Sequence, residues 1–217
     1  MKRIILLIIF TIFLVSCEDA IDIIRERTYT YADVQSSYSE ITDETGGKRY
    51  DAINAEEVST RLIEIIEQNG RNANDIVFLI DKTSSMRDDI DSVKTTLTAI
   101  IQKMPVGTNL ALGTFGDYNV DGAEWYSITA LTTDFESIKT NLNSVTTTGG
   151  GDLPESIYDS LYQTMTDLQW KSSTMRIIVF ISDAMPLTEE ETIHSLSEVI
   201  STAKEKSVTI FAIAIQK

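Results

Sequence analysis

Apolar runs and amphipathic stripes alternate along the chain from Asn74 onward. Continuous apolar runs at 76–80, 177–181 and 208–215 predict strands buried on both faces, with further strands at 110–115 and 125–131. Between them, apolar residues recur every three or four positions at 90–104, 135–145, 157–168 and 193–203, which predicts helices. This alternation predicts an α/β fold with a doubly wound, mostly parallel central sheet and helices on both faces.

One strand is expected to run the other way. The link from Phe115 to Trp125 is short, whereas a parallel crossover needs about a dozen residues or more. The sequence therefore predicts one antiparallel edge strand.

The leading segment is harder to interpret. Residues 18–53 are polar and weakly periodic, and Gly46-Gly47 predicts the turn of a hairpin between 37–43 and 48–53, unless part of this stretch is a tether. Residues 55–68 predict an amphipathic helix. We divide the chain into residues 1–16, residues 17–53 (anchor, tether and hairpin) and a domain at 54–217 with its core at 74–215.

Residues 1–16 have the layout of a secretory signal. Lys2 and Arg3 precede an apolar run of 12 residues, Ile4–Val15, which is shorter than the roughly 20 residues of a membrane-spanning helix. The ending Leu14-Val15-Ser16-Cys17 resembles a bacterial lipobox, and an ordinary signal peptide with an incidental cysteine is the alternative. The lipobox implies that lipid-modified Cys17 anchors the protein to a membrane of the bacterial cell envelope, on its extracytoplasmic side. Cys17 is the single cysteine, so an intrachain disulfide is excluded.

The chain is strongly acidic. Its net charge of −15 becomes −17 without residues 1–16, because Lys2 and Arg3 are lost with them. Such a surface repels nucleic acid, and we expect no nucleic-acid partner. Acidity favours cationic partners without identifying one.

The run Asp81-Lys82-Thr83-Ser84-Ser85-Met86 directly follows the first apolar strand. The Asp81 carboxylate and the Thr83 and Ser85 hydroxyls can face one point if the backbone turns sharply after the strand. Oxygen ligands of this kind suit a hard cation such as Mg²⁺ or Mn²⁺.

Two later segments strengthen this interpretation, Gly149-Gly150-Gly151-Asp152-Leu153-Pro154-Glu155 and Ile181-Ser182-Asp183-Ala184. The three segments in this order resemble the von Willebrand factor A family and its metal-ion-dependent adhesion site, in particular its bacterial and hemicentin-like branch. The resemblance covers residues 74–215. It implies metal ligands at Asp81, Thr83, Ser85 and Asp183. From the middle loop it implies either Asp152 or Glu155, with Glu155 preferred.

The resemblance also implies a function. Family members usually bind a protein partner that supplies a carboxylate to the metal, so we expect a binding module rather than an enzyme. The single histidine, His194, is placed by the apolar stripe in a helix at the surface, away from any catalytic arrangement. A magnesium-dependent hydrolase or phosphatase, and a scaffold or assembly subunit with a degenerate metal site, are the alternatives.

Helix capping offers a competing explanation for several of these residues. Asp152 and Glu155 flank Pro154 ahead of an apolar stripe, as in a capped helix start. Thr83 to Ser85 could cap the following helix. Asp88, Asp89 and Asp91 are expected to be first-turn charges of that helix. Asp117, after the second strand, is a further candidate for the same crevice.

The sequence departs from the family at its end. Family domains usually carry another strand and a final helix after the strand matching 208–215, and we expect both to be absent here. An uncovered apolar edge strand invites aggregation. We therefore expect either that the leading segment at 28–70 covers strand 208–215 or that a second chain pairs along it.

Overall fold

A six-stranded sheet forms the centre of the protein. The computed structural model describes residues 30–69, 74–150, 154–171 and 175–217. Its strands are β1 (Arg49–Ala52), β2 (Asp75–Asp81), β3 (Asn109–Phe115), β4 (Tyr126–Ile128), β5 (Arg176–Ser182) and β6 (Val208–Ile215). The order across the sheet is β1-β6-β5-β2-β3-β4, and every pair is parallel except β3 with β4. The predicted doubly wound sheet with one antiparallel edge strand is confirmed.

Helices cover both faces of this sheet. They are α1 (Tyr31–Glu44), α2 (Ala55–Asn69), α3 (Ile90–Ile101), α4 (Tyr118–Asp121), α5 (Phe135–Ser144), α6 (Ile157–Asp167) and α7 (Leu196–Lys206). Helices α2, α3 and α5 pack on one face, and α1, α6 and α7 on the other. Along β2, Phe78 and Ile80 join the first layer while Val77 and Leu79 join the second. Burial on both faces explains the continuous apolar runs.

The hairpin predicted at 37–43 and 48–53 is wrong. Residues 31–44 form α1, which begins in a capping box in which the Thr30 and Asp33 side chains cap each other's backbone amides. After α1, Gly46 takes the left-handed conformation (φ 79°) and the Gly47 amide donates to the Thr42 carbonyl at 2.9 Å. This is the geometry of a helix C-terminus closed by glycine. The two glycines therefore end a helix.

The leading segment completes the sheet. β1 pairs in parallel with β6, from Arg49 opposite Ala212 to Ala52 opposite Ile215. The expectation that residues 28–70 cover strand 208–215 is met. The alternative, pairing of a second chain along that strand, is wrong, because β6 already lies between β5 and β1. Strand β1 thus forms the edge of the sheet beside β6.

The last helix begins later than predicted. Ser195 and Glu198 form a capping box at the start of α7, so Ile193 and His194 precede the helix. Ile193 is 54% exposed, and the His194 ring stacks on Tyr162 at 3.6 Å between centroids. The placement of His194 inside a helix is therefore wrong.

Three predicted features lie outside the described residues: the signal segment 1–16, Cys17 and Asp152. Over the ranges that the structure does describe, no helix combines the length and the apolar character needed to cross a bilayer.

Candidate metal centre

The predicted ligands converge at the carboxyl ends of two adjacent central strands. Asp81 is the last residue of β2. Asp183 directly follows β5, the strand that pairs in parallel with β2. The chain leaves β2 toward β3 on one side, while β5 lies on the other, so the two ends flank the point where the strand order reverses. In open α/β sheets this is the crevice in which ligands bind.

The Asp81 carboxylate is fully buried and held from both sides. Its Oδ1 accepts hydrogen bonds from the Thr83 amide at 2.8 Å and the Thr83 hydroxyl at 2.6 Å. Its Oδ2 accepts from the Ser182 hydroxyl at 2.6 Å. Ser182 also accepts from the Ala184 amide at 3.1 Å, which ties the end of β5 to Asp81.

Four of the predicted ligands lie side by side in a row, with each hydroxyl donating its proton to a carboxylate. The Thr83 and Ser85 hydroxyl oxygens are 3.0 Å apart, and the Ser85 hydroxyl donates to Asp183 Oδ1 at 2.8 Å. Thr83 stands at the start of a short 3₁₀ helix (Ser84–Asp88), but its side chain makes no capping hydrogen bond. The capping explanation therefore does not account for Thr83, whose hydroxyl points to Asp81 instead.

The glycine-rich loop covers this row. The Ser84 hydroxyl donates to the Gly149 carbonyl at 2.9 Å. Gly150 has φ +60°, and a Cβ there would lie 2.9 Å from both Thr83 Cβ and Glu155 Oε1. The loop backbone at Gly150 thus passes close to both the Thr83 side chain and the Glu155 carboxylate, at a distance that only glycine allows.

Glu155 lies beside the row of ligands, buried to 1% exposure. Its backbone bridges to the strand-like segment after Asp183, since its amide donates to the Met185 carbonyl at 2.8 Å and its carbonyl accepts from Leu187 at 2.9 Å. Helix α6 begins at Ile157 after Ser156, so Glu155 precedes the helix and does not hold the third helical position of a capping box. Of the two candidates from this loop, the structure describes Glu155 alone.

The other acidic residues have different roles. Asp117 accepts from the Asn119 amide at 2.7 Å and caps α4. Asp91 lies in the first turn of α3, as predicted. Asp89 precedes α3 but makes no capping hydrogen bond, and it forms an ion pair with Lys217.

Sequence reasoning missed three residues that bear on the site, namely Ser182, Asp121 and Lys217. Ser182 holds Asp81, as described above. Asp121 accepts from the Asp117 amide at 3.0 Å and the Gly150 amide at 3.3 Å, so it fixes the glycine-rich loop. Lys217 Nζ lies 4.0 Å from Asp183 Oδ2. Of these three, only Ser182 had a signal in the sequence, because it is a hydroxyl residue directly before the predicted ligand Asp183.

The leading segment also supports the site. The Tyr38 hydroxyl, on α1, donates to the Ala184 carbonyl at 2.6 Å, and its ring packs edge-on against Phe180 of β5 at 4.8 Å. Residues far apart in sequence therefore fix the loop that carries Asp183.

The carboxylates of the site are destabilised as anions. The pKa of Asp81 is raised to about 7, chiefly by burial and next by the negative charge of Asp183, while the hydroxyls of Ser182 and Thr83 oppose the shift. Burial also raises the pKa of Asp183, against the opposing effects of Ser85 and Lys217. A cation between these carboxylates would stabilise both in their charged form.

The donor set fits a hard divalent cation, because all of its atoms are carboxylate or hydroxyl oxygens. Asp183 Oδ2 is buried and accepts no hydrogen bond from the described residues, which leaves it available. No three His, Cys, Asp or Glu side chains of the described ranges are placed to hold a metal ion together. A site here would depend on the Thr83 and Ser85 hydroxyls as ligands.

Comparison with known proteins extends this picture. The sequence model of the von Willebrand factor type A domain matches residues 75–217. No curated protein sequence matches the chain.

Two solved structures share the fold. The conserved hypothetical protein BatB from Bacteroides thetaiotaomicron is 15% identical with a TM-score of 0.51, over 65% of this chain and 66% of BatB. Proximal thread matrix protein 1 from the mussel byssus is 20% identical with a TM-score of 0.52, over 65% of this chain and 35% of its own. The match thus spans just under two thirds of BatB and about a third of the mussel protein.

Proposed function

The chain belongs to the von Willebrand factor type A family, and we propose that it binds a divalent cation, Mg²⁺ or Mn²⁺, and through it a protein partner. Domains of this family commonly mediate protein–protein binding. The observation that carries the proposal is the row of Asp81, Thr83, Ser85 and Asp183 at the carboxyl ends of β2 and β5, whose neighbouring oxygens lie 2.6–3.0 Å apart.

The residues that would hold the cation are these four together with Glu155. The bound cation would offer a free coordination position to a carboxylate of the partner. The chain's own contribution is to fix the ligands: Ser182 orients Asp81, and Asp121 anchors the glycine-rich loop over Thr83.

An aromatic patch borders the site and supports a protein partner. Tyr118 and Val120 are 43% and 49% exposed, and the Tyr118 ring packs edge-on against Trp125 at 5.9 Å. The Tyr118 amide donates to the hydroxyl of Ser156, the residue after Glu155, at 2.8 Å, which joins the backbone at the start of the patch to this loop. Tyrosine and tryptophan are enriched among residues that dominate binding energy. The partner segment would present a carboxylate flanked by apolar side chains.

We further propose that the protein is a lipoprotein of the bacterial cell envelope, anchored through Cys17. The proposal is supported by the signal-like residues 1–16 and their lipobox-like ending. Metabolic labelling with a fatty acid tests it: the parent should carry the label, and a Cys17→Ser variant should not. Absence of the label from the parent would argue against lipid anchoring.

Calorimetric titration of Mg²⁺ and Mn²⁺ into the purified protein tests metal binding. We expect saturable binding at one site, lost in Thr83→Ala and kept in Thr83→Ser, which retains the hydroxyl. Absence of binding in the parent would favour the scaffold with a degenerate site. Turnover of a general phosphoester substrate that depends on Mg²⁺ would favour the hydrolase instead.

A further inference from the structure

Lys217 places a positive charge at the edge of the candidate metal centre. Its ammonium forms an ion pair with the Asp89 carboxylate and lies 4.0 Å from Asp183 Oδ2. That oxygen is the one in the row that accepts no hydrogen bond from the described residues. The ammonium is therefore the nearest described positive charge to the oxygen that a metal ion would use.

The fold holds Lys217 in this position from two sides. Its neighbour Gln216 donates its backbone amide to the Ala52 carbonyl at 2.8 Å, which continues the β1–β6 ladder beyond β6. Asp89, which receives the ion pair, is 6% exposed at the start of α3. The lysine thus bridges the end of β6 and the start of α3, with Asp183 between them.

We propose that Lys217 acts as a tethered competitor of the metal ion, lowering the affinity of the site for divalent cations. The inference rests on the proposed metal-binding function. An ammonium close to Asp183 partly neutralises the carboxylate that a cation needs, and it repels the incoming cation. Binding then requires the lysine to turn away from Asp183 toward solvent.

Replacement of the charge tests the proposal. Calorimetric titration of Mg²⁺ would compare the parent with Lys217→Met and Lys217→Arg. The methionine variant keeps an unbranched chain without the charge and should bind Mg²⁺ on the order of tenfold more tightly, since a full charge at this distance is strongly felt in a partly buried site. The arginine variant keeps the charge and should bind like the parent.

Lys204→Met is the matched control. Lys204 pairs with Glu44 at 2.6 Å in an exposed ion pair between α7 and α1, and its replacement changes the net charge equally. Its Mg²⁺ affinity should stay within about twofold of the parent, because screening weakens distant exposed charges. The unfolding temperature with and without Mg²⁺ gives a second readout of the same affinities.

The outcomes separate this inference from the proposed function. Tighter binding by Lys217→Met alone supports both. Binding by the parent with no change in Lys217→Met, or an equal change in Lys204→Met, overturns the competitor and leaves the metal site intact. Binding gained only in Lys217→Met means that the lysine fills the site and overturns metal dependence in the parent. Absence of binding in every variant overturns both.

Discussion

The two ends of strand β2 each carry a fully buried aspartate, Asp75 at the start and Asp81 at the finish. Asp75 accepts from the Asn109 side-chain amide at 2.9 Å and from the Lys171 backbone amide at 2.6 Å. Each of its oxygens thus has a neutral donor. Asp81 also accepts hydrogen bonds on both oxygens, but Asp183 adds a second negative charge to its surroundings.

The two aspartates are equally buried and differ in the charge of the groups around them. A buried carboxylate surrounded by neutral donors is stabilised by them and joins parts of the structure together. A buried carboxylate whose pKa is raised by a second carboxylate beside it is costly to ionise without a cation. The amino end of β2 is therefore stabilised by its neighbours, whereas the carboxyl end is the place where we propose that a cation binds.

The largest effect is expected from Asp81→Asn, which removes a charged ligand while keeping the shape of the side chain. Mg²⁺ affinity should fall by about a hundredfold or more. This corresponds to a loss of about 2.8 kcal/mol of binding free energy, at 1.4 kcal/mol for each tenfold change in affinity. Without metal, the unfolding temperature at neutral pH should match or exceed that of the parent, because a buried charge is removed. Calorimetric titration and thermal unfolding check the two statements; unchanged Mg²⁺ affinity would contradict the comparison.

Asp75→Asn should show the reverse. The new amide group cannot accept from both Asn109 and Lys171, so a buried donor loses its partner at a cost of about 1–3 kcal/mol. Denaturant unfolding should show this loss, while calorimetry should show Mg²⁺ affinity close to that of the parent. If Asp75→Asn lost metal binding but no stability, the proposed difference between the two ends of β2 would be wrong.

Alanine variants of two glycines, one beside the candidate site and one away from it, should show a smaller difference in metal affinity. Gly150→Ala places a Cβ 2.9 Å from Thr83 Cβ and Glu155 Oε1, whereas Gly46→Ala, at φ +79° before β1, meets nothing within 4 Å. Both should cost about 1–2 kcal/mol of stability through the left-handed backbone. Only Gly150→Ala should also weaken Mg²⁺ binding. Equal metal affinities in the two variants would show that the glycine-rich loop does not shape the site.

The smallest effect is the pH dependence of the metal-free protein. Because the folded-state pKa of Asp81 is about 7 against an ordinary 3.8, its contribution to stability is full below about pH 4 and is lost as pH rises toward 7. Exposed carboxylates with lowered pKa, such as Glu198, act in the opposite direction. The unfolding temperature of the parent minus that of Asp81→Asn isolates the effect. This difference should fall as pH rises from about 4 to about 7. A constant difference would contradict the raised pKa.

The central fold was predictable because its signals are local. A strand buried on both faces requires a continuous apolar run, so β2, β5 and β6 were found within one residue of their ends. The leading segment needed information from afar. A strand at 48–53 was predicted, but nothing near it indicates parallel pairing with 212–215, and the polar surface of α1 masked the helical spacing of Val34, Tyr38 and Ile41.

The residues of the candidate site also divide into those with a local sequence signal and those without one. Asp81, Thr83 and Asp183 come together because each stands at the end of a strand whose position was predictable. Ser182, Asp121 and Lys217 were missed because their roles depend on loop geometry that the alternation of strands and helices does not specify. Residue type alone does not distinguish Asp121, which supports the loop, from a metal ligand.

Anomalous diffraction from crystals grown with Mn²⁺ would locate a bound cation directly. We predict one strong peak among Asp81, Thr83, Ser85 and Asp183, and the map would also show whether Glu155 or Asp152 completes the coordination. A peak elsewhere, with none between the ends of β2 and β5 in crystals that hold Mn²⁺, would contradict this prediction.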